Sequence, residues 1–99
     1  MLAAFSIWPS GVTGDDSERD AVVAAIKVVR ASGLPNRSDA MFTTIEGEWG
    51  EVFDVIHRAV DAALAYGKRV DLVIKLSIRP GHEHELAGKT EHREKTIVD

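Results

Sequence analysis

Cysteine is absent from this 99-residue chain. That removes disulfides, thiolate metal sites, iron–sulfur clusters and cysteine nucleophiles together, and it suits a reducing compartment. Excess basic charge is also missing. Twelve Lys and Arg stand against sixteen Asp and Glu, giving a net charge of -4 and a pI near 5.5. Such a chain repels phosphate backbones and no basic patch offsets the repulsion, so nucleic acid is not an expected partner. No apolar run approaches the roughly 20 residues of a membrane span. The opening Met1-Leu2-Ala3-Ala4-Phe5 carries no basic residue ahead of a hydrophobic run and does not read as a signal peptide. The expectation is a cytoplasmic protein without membrane contact. There is no Walker loop, no GxGxxG, no HExxH and no Gly-x-Ser-x-Gly. Ser10 and Ser17 have no evident histidine–acid partner. No residue is nominated as catalytic, and the expectation is that the protein is not an enzyme and carries no cofactor or metal.

What is present is ordinary globular composition, 44% hydrophobic and 28% charged. The length supports one domain, residues 1–99, with a core that leaves oligomerisation open. Residues 2–8 form a short apolar run with β-branched and aromatic members, ended by Pro9-Ser10-Gly11, and read as a central strand. Asp15, Asp16 and Ser17 are suited to start a helix. Val22, Ala25, Ile26 and Val29 follow at helical spacing, and Gly33 suits the stop. Pro35 to Asp39 reads as a weak edge strand and Met41 to Glu46 as a better one ended by Gly47. A second helix is expected from Glu48 to Tyr66, with Phe53, Ile56, Val60 and Leu64 as its buried stripe. Arg69 to Ile78 is the clearest strand: Val70, Leu72, Ile74, Leu76 and Ile78 alternate with Asp71, Val73, Lys75, Ser77 and Arg79. The stretch 80–99 is strongly charged in its last part and reads as a short C-terminal helix or a mobile tail.

The order β-α-β-β-α-β predicts a ferredoxin-like α+β sandwich, a four-stranded antiparallel sheet with helices on one face. The open face must then meet solvent, a ligand or another subunit. Ser6, Trp8, a threonine and Lys75 are expected to line it, because strand faces repeat every two residues. A cross-strand hydroxyl pair or a subunit contact explains the same residues equally well. Glu46, Glu48 and Glu51 cluster beside Trp49, which suits a cation or an amino-substituted heteroaromatic ring. The same residues also suit a helix N-terminus that favours negative charge. His57 falls on the expected apolar stripe and reads as a core histidine. His82-Glu83-His84 resembles a fragment of a metal site that would need another ligand, such as His92; surface histidines explain it better.

The pieces Ser6-Ile7-Trp8-Pro9-Ser10-Gly11, Thr43-Thr44-Ile45-Glu46-Gly47-Glu48-Trp49 and Ile74-Lys75 resemble the thiamine-binding, YkoF-like family of small proteins. The likeness is strongest at Thr-x-Ile-Glu-Gly-Glu-Trp and weakest in 11–19 and after Pro80. It implies a ferredoxin-like fold, homo-oligomers (dimers or tetramers) assembled through the sheets, and binding of thiamine or its hydroxymethylpyrimidine portion without chemistry. Carried over by motif, the implied ligand-binding residues are Ser6, Trp8, Thr43, Glu46, Trp49 and Lys75. A carboxylate can accept from the amino group of the pyrimidine and hold the cationic thiazolium, and a tryptophan can stack on either ring. Lys75 would neutralise Glu46, meet a phosphate on a phosphorylated ligand or lie outside the pocket. The rival expectation is an interaction or regulatory module whose open sheet face serves assembly. An acylphosphatase-like enzyme is disfavoured because the loop after the first strand lacks arginine.

Overall fold

The computed structural model describes residues 1–11 and 15–86, and leaves the side chains of 15–17 aside. Within it the chain runs β1 (Leu2–Ser10), α1 (Asp15–Ala31), β2 (Asn36–Ser38), β3 (Thr43–Glu46), α2 (Trp49–Leu64) and β4 (Arg69–Ser77). The strands form one sheet in the order β2-β3-β1-β4, and all three neighbouring pairs are antiparallel. This is the expected ferredoxin-like arrangement. The side chains of the expected Asp15-Asp16-Ser17 cap, and residues 87–99 of the expected tail or helix over 80–99, His92 among them, lie outside what is described.

Register assigns every strand residue to a face. Ala3, Phe5, Ile7 and Pro9 of β1 share one side with Ile45 and Thr43 of β3 and with Val70, Leu72, Ile74 and Leu76 of β4. That side meets the helices: Ala3, Phe5, Ile45, Val29, Val52, Val55 and Ile56 form the main buried cluster. The two helices touch through small residues, Ala21 and Ala25 on α1 against Ala59 and Ala63 on α2. Side chains this short let the helix axes approach closely. The other face of the sheet carries Leu2, Ala4, Ser6, Trp8 and Ser10 beside Thr44 and Glu46 and beside Asp71, Val73, Lys75 and Ser77. Neither helix covers it.

Four expectations need correction. β1 does not break at Pro9. It continues to Ser10, with Pro9 fully buried opposite Val70. β3 begins at Thr43, because Met41 and Phe42 are drawn into the preceding turn. Phe53 and Leu64 of α2 are exposed, and the buried stripe is Val52, Val55, Ile56, Ala59 and Ala63. His57 is not in the core: its side chain is 76% exposed, with Nε2 3.6 Å from Asp61 Oδ2 one turn on. In each helical case the sequence offers bulky residues on an arc next to the one that packs, and the alanines claim the helix–helix contact.

Short-range devices set the boundaries. Gly33 takes φ +81° after α1, a conformation that a side chain would strain. At the start of α2, Glu51 Oε1 accepts the Glu48 N–H at 3.0 Å, so one otherwise orphaned amide is satisfied and a negative charge sits in the first turn.

Ile45 is 0% exposed at the centre of the sheet, packed between β1 and the helices. Ile45→Ala is expected to lower unfolding free energy by about 2–5 kcal/mol. Leu72→Ala, at a site 39% exposed, should cost about 1 kcal/mol or less, since little apolar area there is removed from water. Urea titration of both variants checks the contrast, and equal losses would contradict the placement of the core.

Candidate functional site

β4 accompanies β1 for all nine of its residues, from Leu2 opposite Ser77 to Ser10 opposite Arg69. β3 accompanies it for four only, from Leu2 opposite Glu46 to Phe5 opposite Thr43. Where β3 leaves off, a cleft of about 130 Å³ opens between β1, α1 and the β2–β3 turn. Phe5, Ser6, Ile7 and Trp8 border it from the strand. Val22, Ala25, Ile26 and Val29 form the helix wall, and Asp39 to Thr43 form the third side.

The turn explains why β3 stops. Asp39 N–H donates to Phe42 C=O at 2.9 Å, closing a tight hairpin. Asp39 Oδ1 accepts from both the Met41 and the Phe42 N–H, each at 3.0 Å. An aspartate that binds the main chain two residues on makes a turn of its own. Met41, whose amide the register would otherwise turn toward β1, therefore spends it on Asp39, and Phe42 spends its own on the same carboxylate from the β2 side. The Phe42 amide first, then the Met41 amide, holds the Asp39 carboxyl below its ordinary value of 3.8, and Arg37 adds a smaller pull in the same direction. Thr43 faces the helix side of the sheet, and its hydroxyl lies 3.0 Å from that of Ser38 across the hairpin.

Glu46 sits elsewhere. It is 7% exposed, on the open face next to Leu2. Its Oε2 accepts from the Glu85 N–H at 2.7 Å and its Oε1 from the Leu86 N–H at 3.3 Å. A carboxylate that accepts two successive main-chain amides is a strong, charge-assisted anchor. To reach it the chain takes a left-handed residue, His84, at φ 57°. A second, more open cleft of about 230 Å³ is bordered by Met1, Leu34, Pro35, Glu46 to Glu48, Glu51 and His82 to His84.

The structure thus gathers three of the six candidates, Ser6, Trp8 and Thr43, around the first cleft. Glu46 lines the second. Trp49 and Lys75 line neither: Trp49 stacks on Phe53 at 5.6 Å on α2, and Lys75 stands on the open face opposite Ala4. The threonine that shares Lys75's face is Thr44, not Thr43, because the pleat alternates. His82, Glu83 and His84 are exposed, and among the described residues no three His, Asp or Glu side chains converge as a metal site. Sequence reasoning missed Asp39 and Phe42. The spacing of an aspartate two and three residues ahead of the amides it binds was the available signal for the first.

Fold and site together define a two-layer ferredoxin-like domain with a cleft at a strand edge. The chain belongs to the thiamine-binding protein family, whose profile matches residues 3–94. It is 52% identical over 82 residues to the UPF0045 protein Mb1933 of Mycobacterium bovis, spanning 82% of this chain and 78% of that protein. Among solved structures it resembles a domain of unknown function from Bacillus cereus, at 37% identity and TM-score 0.73, covering 81% of this chain and 76% of that one. It also resembles a hypothetical protein of Methanocaldococcus jannascii, at 26% identity and TM-score 0.80, covering 94% of both chains. Among the described residues no helix is long and apolar enough to cross a membrane.

The lowered Asp39 value has a consequence for the turn. A carboxyl held low in the folded state contributes stability above its unfolded value and loses it as pH falls through the folded one. Asp39→Ala should therefore destabilise the protein at neutral pH. The gap to wild type should be full above about pH 5, narrow below the ordinary 3.8, and close further at lower pH. Thermal unfolding of both proteins from pH 7 to pH 2.5 measures this; a gap constant with pH would contradict the charged turn.

Proposed function

We propose that the protein binds thiamine, or its hydroxymethylpyrimidine portion, without transforming it, and that it works as a homo-oligomer. Family membership supplies the ligand class. The observation that carries the assignment to a place is the cleft left where β3 stops short of β1. Its walls are mainly apolar, with Phe42 at the turn, Trp8 on the strand and the Asp39 carboxylate at the rim. Small-molecule sites commonly combine an apolar lining with a few placed polar groups. A flat aminopyrimidine suits the apolar part. A cationic thiazolium suits the rim, where Asp39 Oδ2 remains beside the committed Oδ1. The second cleft is the poorer candidate, since both Glu46 oxygens already accept main-chain amides. This reading places Glu46, Trp49 and Lys75 outside ligand contact.

Calorimetric titration with thiamine, hydroxymethylpyrimidine and thiamine phosphates tests it. Saturable binding of at least one is expected, weakened about tenfold or more in Phe42→Ala, a loss of about 1.4 kcal/mol. No heat with any of them, from folded protein, would overturn the binder reading.

The oligomer reading rests on the open sheet face. Val73 is 60% exposed and Trp8 56% exposed there, on adjacent strands, with no helix above them. Exposed apolar patches of this kind mark association surfaces. Val73→Glu is expected to shift the protein to a monomer in light scattering behind size exclusion, while its circular dichroism stays that of the folded chain. A wild type that is monomeric at high micromolar concentration would remove this part of the proposal.

A further inference from the structure

The ladder geometry singles out one main-chain group in the cleft. Gly47 N–H donates to Met1 C=O at 3.1 Å. In an antiparallel pair, hydrogen-bonded positions alternate along the strand. From Met1 onward, odd-numbered residues of β1 therefore turn their N–H and C=O toward β3, and even-numbered ones turn toward β4. Ala3 opposite Ile45 and Phe5 opposite Thr43 use that direction. Ile7 is the next odd residue, and the register would bring Met41 opposite it. Met41's N–H is instead bound to Asp39 Oδ1. Among the described residues, the Ile7 N–H and C=O consequently have no strand partner, and they face the side on which the cleft lies.

Pro9 is the following odd residue and has no N–H to offer. Its place explains how β1 tolerates a proline: the missing donor falls on the unpaired side, and the β4 ladder stays whole. It also shapes the edge. Another strand added here would find one donor and then a gap, which discourages pairing by a second chain. A small ring needs only the one donor–acceptor pair that Ile7 provides.

We propose that the Ile7 main chain reads the ring edge of a 4-aminopyrimidine seated in this cleft, taking the place that Met41 leaves empty. This rests on the binder reading above. The Ile7 N–H donates to the ring nitrogen next to the amino-bearing carbon, and the Ile7 C=O accepts from the amino group. Both are backbone groups held by the β4 ladder, so the recognition requires no side-chain ordering. The pair also sets selectivity. A 4-oxo ring presents a donor where the aminopyrimidine has an acceptor and an acceptor where it has a donor, and a site built around fixed polar groups rejects such a mismatch strongly.

The test follows amide signals of uniformly ¹⁵N-labelled protein during titration with hydroxymethylpyrimidine and its 4-oxo analogue. The expected result is a shift of the Ile7 amide, at least tenfold slower hydrogen exchange at that amide, and at least tenfold weaker binding of the oxo compound. Ile7→Pro, which removes the donor on the open edge together with a side chain packed against both core clusters, should lose at least tenfold in affinity with its dichroism intact. Should that variant misfold, the exchange measurement on the unaltered protein still decides. Saturable binding with an unmoved Ile7 amide, or equal affinity for the two rings, would overturn this inference and leave the binder reading standing. An Ile7 amide already protected before ligand is added would assign the edge to another strand and overturn it too. No binding of either ring or of thiamine would remove both.

Discussion

The structure depends on how the central strand satisfies its two edges. A nine-residue strand carries hydrogen-bonding groups on both sides, and a buried one must pair nearly all of them. β4 meets this demand along one side for the full length. On the other side β3 meets it for four residues, and there the sheet narrows. The proposed site follows from that mismatch. The helices pack over the wide part of the sheet, where Ile45, Phe5 and Ala3 make the core. The narrow part leaves α1 reaching past β3, with a strand edge below it and a hairpin turn beside it. A cleft is the geometric remainder of a two-layer fold whose strands differ in length.

Asp39 fixes where the mismatch occurs. By taking the amides of Met41 and Phe42 it closes a tight hairpin, and the Met41 amide that would have met Ile7 is no longer offered to β1. Pro9 acts from the other partner, since a strand lacking one donor offers little for a longer β3 to join. Two residues on different elements thus keep the same edge open. Glu46 does a parallel task at the opposite end of β3, where it fastens the Glu85 and Leu86 amides to the open face. One short strand is therefore bracketed by two carboxylates, and both act first on backbone amides.

This bracket shows what was legible in the sequence. Element order, the antiparallel sheet and the alternation of β4 could be read because period-two and helical periodicities are strong local signals. The resemblance that pointed to thiamine binders runs through the second half of β1, the whole of β3 and the interior of β4. What could not be read was which arc of α2 packs. Phe53 and Leu64 are the larger side chains, yet alanines 59 and 63 won the contact because α1 brings alanines 21 and 25 against them. That choice belongs to two helices together and is written in neither alone. The role of Thr43 turned on a single-residue parity between neighbouring threonines, which only the register could settle. That Glu46 is buried and accepts the Glu85 and Leu86 amides could not be read either, because contact with a segment some forty residues away leaves no local trace.

The three surfaces of β1 divide its possible work. Its odd residues build the core, its even residues stand on the open face, and one edge borders the cleft. Trp8 belongs to two of these at once: its side chain rises on the open face, and its position on the strand borders the cleft. Association through the open face would bury that ring and restrain the strand on either side of it, Ile7 included. A ligand held by the Ile7 main chain would restrain the same stretch of β1 from the edge. Each event then lowers the ordering cost left to the other, which is positive coupling without any change of fold. The reciprocity of linkage makes the direction testable from either side, since a ligand that favours assembly must bind the assembled form more tightly, and by the same factor.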